Sequence, residues 1–71
     1  MTMDDVKQIA AALKQCKPHP VTGTVGERVL WGRLANALRD ACLTRMYQVR
    51  TARGTWDEAA WCEASGMTET Y

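Results

Sequence analysis

The chain has no phenylalanine, and its two prolines, Pro18 and Pro20, fall within one three-residue stretch. Residues that favour strands are sparse while alanine is plentiful, so an open sheet or barrel is not expected. Outside that one stretch no proline interrupts a helix. The single histidine, His19, lies between the prolines. It has no visible acid or nucleophile beside it, so it does not read as a catalytic base or a pH switch. Three cysteines are an odd number, and no secretory signal is read at the N-terminus, so a disulfide framework is not expected and a reducing cytoplasm is. No apolar run approaches the ~18 residues of a membrane span. Net charge is +1, too little for the whole molecule to attract nucleic acid.

What is present is one long helical pattern. Thr24-Val25-Gly26-Glu27 reads as a capping box, with Glu27 on the positive end of the helix dipole. Arg50 and Arg53 suit the negative end, and Gly54 can close the helix. The spacing predicts a helix over 25–53, roughly 42 Å long. Gly32 is its one weak interior position, costing about 1 kcal/mol relative to alanine. On a helical wheel Leu30, Trp31, Leu34, Leu38, Ala41, Cys42, Val49 and Ala52 share one broad arc, the expected core face. Arg45 interrupts that arc. Val25, Val29, Leu43 and Tyr47 form a second, narrower apolar arc. Between the two runs a basic line of Arg28, Arg39, Arg50 and Arg53, the first three spaced eleven residues apart. Arg33, Asn36, Asp40, Thr44 and Thr51 form a solvated arc.

Two shorter helices flank this rod. Val6, Ile9, Ala10 and Leu13 line one side of a helix over 3–16, capped by Thr2, with Asp4 and Asp5 in its first turn. Residues 17–24 form the connecting loop. Thr55-Trp56-Asp57-Glu58 reads as another capping box, starting a helix over 56–65 that Gly66 ends. Trp56, Ala59, Ala60 and Glu63 line one side, while Trp61, Cys62 and Ala64 lie elsewhere. One of the two tryptophans, Trp56 or Trp61, is expected to pack on the central helix and the other to be a partly exposed anchor for a partner. A polar tail, 66–71, completes the chain. The expectation is a single all-α domain of 71 residues: a helical hairpin on a long central helix, with a short third helix folded back. A core this small is marginal alone, so a homodimer is expected.

Chemistry is thin. Cys16 and His19 have the spacing of half a zinc site, but Cys42 and Cys62 are solitary within apolar helices and read as small hydrophobes. No metal, cofactor or small-molecule substrate is expected, and no enzyme: there is no phosphate loop, no acid pair in a cleft and little room for a pocket. Glu58 to Thr68 resembles the first half of a helix-turn-helix. The recognition helix would have to come after Thr68, where an acid and no base remain.

Charge is uneven. Glu27 to Arg53 holds six arginines and two acids, whereas Gly54 to Tyr71 holds four acids and no base. The rod is also more apolar than two short helices can cover. These features point to a protein-interaction module, an adaptor or inhibitor, that binds a protein partner or itself. The expected contact residues are Arg28, Arg39, Leu43, Tyr47, Arg50, Arg53 and Trp61. A compact chain of this kind suits an accessory factor of a mobile element, though no residue specifies that. The alternative is a small DNA- or RNA-binding regulator whose arginine line contacts phosphates; Arg28 to Arg50 spans about 33 Å by helical rise.

Overall fold

A computed structural model describes residues 1–52 and 54–67. Three α-helices run in order: α1, Met3–Gln15; α2, Val25–Gln48; and α3, Glu58–Ser65. A 3-10 turn at Arg50–Ala52 lies between the last two, and no strand occurs among the described residues. The chain is a small all-α domain built on a long central helix.

Each helix starts where its cap dictates. Thr2 Oγ1 accepts from the Asp5 amide at 3.3 Å, and Asp5 Oδ2 accepts from the Thr2 amide at 2.9 Å. Thr24 and Glu27 repeat the exchange at 3.1 and 3.0 Å, which satisfies backbone donors that α2 would otherwise leave open. These backbone hydrogen bonds hold the Asp5 and Glu27 carboxyls below the usual range. The Pro18–Thr24 loop folds on itself. His19 Nδ1 accepts from the amides of Val21 and Thr22, and the Gly23 amide donates to the His19 carbonyl. A Cβ at Gly23 would lie 2.7 Å from that carbonyl oxygen, so this turn requires glycine.

The core is a narrow strip where the three helices meet. Val6, Ala10 and Leu13 come from α1, Ala35, Cys42 and Met46 from α2, and Trp61 and Cys62 from α3. Trp61 is fully buried and is the largest side chain that is. Its Nε1 has no hydrogen-bond partner among the described residues. Burying such a ring is worth about 4–6 kcal/mol, against about 1–3 kcal/mol for one unmade hydrogen bond, so the ring stays inside. Ser65, also buried, donates to the Trp61 carbonyl at 2.7 Å. Gly66 closes α3 in the left-handed region at φ 75°, and its carbonyl accepts from Lys17 Nζ, which brings the C-terminal ends of α1 and α3 together.

Four expectations are corrected. The central helix stops at Gln48 rather than Arg53: Val49 leaves helical geometry at φ −88°, ψ 107°, and turns half-buried against the core. Arg53 lies outside the described residues. The third helix starts at Glu58, because Asp57 Oδ1 caps the Ala60 amide at 3.1 Å while Glu58 turns toward α2. Its inner face therefore carries Trp61, Cys62 and Ser65, and Ala59 is exposed. On α2 the covered strip is centred on Cys42, so Leu30, Leu34 and Ala41, expected in the core, stand in solvent. Two short helices cover a strip, not a broad arc.

A Cβ at Gly32 would meet nothing within 4 Å, although α2 runs straight through this position. Gly32→Ala is expected to stabilise the fold by about 0.5–1 kcal/mol, raising the thermal midpoint by several degrees in a circular-dichroism melt. An unchanged or lower midpoint would overturn that assignment.

Candidate functional site

The arginine line does not survive folding as a row of free cations. Arg39 Nε donates to Glu58 Oε1 at 2.6 Å and Nη1 to Asp40 Oδ1 at 3.1 Å. Its guanidinium also lies 5.9 Å from the centre of the Trp56 ring. Trp56 Nε1 donates to the other Glu58 oxygen at 2.7 Å, so one carboxylate ties α3 to α2. The hydrogen bond from Arg39 holds the Glu58 carboxyl below its usual range, and the bond to Glu58 pushes Arg39 higher. Arg28 Nη2 donates to the carbonyls of Pro20 and Gly23 at 3.0 and 2.9 Å, clamping the loop to α2. Arg50 is exposed but sits in the 3-10 turn, off the axis of the helix. The eleven-residue spacing reaches Arg39 and then breaks at Val49.

The second apolar arc is where the wheel placed it. Val25 is 73% exposed, Tyr47 54% and Val29 46%, and Leu43 is half-buried. Trp61, expected among the contact residues, is instead in the core, because α3 begins later than its sequence suggests and turns that ring inward. Trp56 is the partly exposed member of the pair, and the two ring centres lie 6.0 Å apart.

Beside the arc lies an open groove of about 950 Å³, lined by the end of α1, the loop and the first half of α2. Lys14, Lys17 and Arg28 supply three positive charges, His19 an imidazole and Trp31 an aromatic wall. No acid is among the described residues that line it. Trp31 is fixed by its Nε1, which donates at 3.0 Å to the Leu13 carbonyl near the end of α1, an oxygen that also accepts from the Cys16 amide. Lys17 Nζ sits 5.1 Å from the centre of the Trp31 ring, a cation–π contact. Gly32 and Asn36 line the groove from α2, next to Val25 and Val29 on the helix surface. The apolar arc and the basic groove are thus one continuous face. Sequence reading missed the groove because three elements converge on it; Gly32, bare in mid-helix, was its one local trace.

The cysteines stay apart in role. Cys16 is exposed, while Cys42 and Cys62 are buried, and burial pushes the Cys42 thiol up. Among the described residues no three His, Cys, Asp or Glu side chains gather as metal ligands. His19 Nδ1 is taken by its own loop. No described helix is long and apolar enough to cross a membrane. The helix-turn-helix resemblance extends through Gly66 and Met67, and the recognition helix it would need falls at 68–71, outside the described residues. No protein-family model matches the chain, and no curated protein or solved structure is significantly similar to it.

Glu58 gives the α2–α3 junction a pH dependence. Its pKa is lowered in the folded chain, so the stability it contributes is present at neutral pH. That stability starts to fade as pH falls past the ordinary carboxylate value of about 4.3 and is gone below the depressed one. Glu58→Gln is expected to destabilise by roughly 1 kcal/mol at pH 7. In denaturant titrations at pH 7 and pH 3, the gap between parent and variant should narrow at the lower pH. An equal gap at both would show that the ion pair adds nothing.

Proposed function

We propose that this chain is a non-enzymatic protein-interaction module, an adaptor or inhibitor, that receives an acidic, amphipathic segment of a partner protein along α2. The observation that carries the reading is one continuous face. Val25, Val29, Leu43 and Tyr47 offer apolar contact, and the adjoining groove offers Lys14, Lys17 and Arg28 with no acid among the described lining residues. Apolar side chains supply the desolvated centre of such an interface. Cations at its edge steer an acidic partner and set its register. Arg39 acts in this reading as a strut that holds α3 against α2 rather than as a direct contact, and Arg28 both holds the loop against α2 and lends its charge to the groove.

A reducing cytoplasm suits the chain, since none of its cysteines forms a disulfide among the described residues. The same groove would also accept phosphates. A nucleic-acid role is less favoured, because Arg39 is spent on Glu58 and the line it belonged to is broken.

The test uses a panel of acidic helical peptides and a random DNA duplex against the purified chain. Val29→Asp and Tyr47→Asp should each weaken peptide binding by about tenfold or more. Raising salt should weaken it only moderately. Duplex binding that falls steeply with salt, is reduced by Lys14→Glu and ignores Val29→Asp would install the nucleic-acid reading instead.

A further inference from the structure

The opposite flank of α2 is built differently. Leu30, Leu34, Ala37 and Ala41 succeed one another at steps of four, three and four residues, the spacing of a helix-pairing seam. All four are exposed, Leu30 at 66% and Leu34 at 49%. This seam lies roughly 140° round the helix from the Val25–Tyr47 arc, at about 100° per residue, and it touches neither the groove nor the core strip.

We infer that a second copy of this chain covers the seam, with the two α2 helices antiparallel about a two-fold axis that crosses between Ala35 and Asn36. That axis sets Leu30 against the second copy's Ala41 and Leu34 against the second copy's Ala37. Every layer pairs a large side chain with a small one, so the helices meet evenly at close range. A parallel arrangement would stack leucine on leucine at one end and alanine on alanine at the other, and the helices would splay.

Charge agrees with the same axis. Arg33 and Asp40, both exposed, edge one side of the seam seven residues apart. Across the axis each Arg33 comes within about 3 Å, along the helix, of the level of the other copy's Asp40, whose Oδ1 also accepts from its own Arg39, and the relation is returned. At the ends of the seam, exposed Glu27 approaches the second copy's Arg45, which explains an arginine set among apolar neighbours. Flanking charges of this kind fix partner and orientation in paired helices.

The seam is short, so the contact belongs with weak, reversible dimers, with a dissociation constant on the order of micromolar.

Sedimentation equilibrium from about 1 to 500 μM, a range set by that affinity class, tests the inference. The expected mass rises from 7.9 kDa toward twice that value. Leu34→Glu should hold the chain monomeric with an unchanged helical spectrum. Arg33→Asp and Asp40→Arg should each weaken the dimer about tenfold, and combining them should restore it. Val29→Asp and Tyr47→Asp should leave the mass unchanged, so loss of partner binding and loss of the dimer are read separately. A monomer throughout, a dimer indifferent to Leu34→Glu, or no recovery in the Arg33/Asp40 double variant would each overturn the proposal.

Discussion

Twenty-four residues of α2 are covered by one helix of thirteen and another of eight, and the rest of the structure stems from that mismatch. A short helix can hide one strip of a neighbour, not half its circumference. The strip is Ala35, Cys42 and Met46; α1 and α3 pack most closely on each other, and Trp61 from α3 is buried in the cluster they form with that strip. Trp31, Leu38 and Val49 edge the strip, and both flanks of α2 beyond it face water. A fold of this kind spends its backbone order on one helix and leaves most of that helix available.

The placement of the cationic side chains has the same origin. With so little core, the junctions between helices rely on polar ties. Arg39, Glu58 and Trp56 close the α2–α3 junction, Trp31 and Leu13 the α1–α2 junction, and Lys17 and Gly66 the α1–α3 junction. Arg28 performs the same task for the loop. Each tie is worth on the order of 1 kcal/mol, a large share of the stability of a chain this small. An arginine that looks surplus in the sequence is therefore often a fastener. Two of these fasteners, Lys17 and Arg28, stand with Lys14 around the groove where the loop and α1 end.

The fold was legible in the sequence to the extent that its signals are local. Thr2 and Thr24 cap where their boxes say, and Val6, Ala10 and Leu13 face inward as their spacing requires. Signals failed where two local options competed. Thr55 and Asp57 both precede α3 as cap candidates, and the choice fell to Asp57 because Glu58, which the Thr55 box needs, makes a stronger bond to Arg39. On α2 the wheel gave one arc too wide by three residues, since nothing in a single chain says how much of an apolar face its own neighbours will cover. Leu30, Leu34 and Ala41 were read as core for being apolar, and Met46 and Ala35, which are core, were missed. The face formed by Val25, Val29 and Tyr47 was legible; the groove joined to it was not, because Lys14, His19 and Arg28 meet only once the loop has folded.

Gly32 connects these observations. A glycine in the middle of an unbroken helix carries a cost with no turn or left-handed angle to explain it. Packing does not explain it either, because open space surrounds the missing Cβ. It lines the groove between Trp31 and Asn36, where any side chain would narrow the approach to Lys14 and Arg28. A bare position there is understandable if something must lie against the α2 backbone at that point. Stability alone would favour alanine, and the seam on the far side, built from Leu34 and Ala37, is untouched by the choice. The glycine therefore argues for the groove face as a place of contact, independently of its charge.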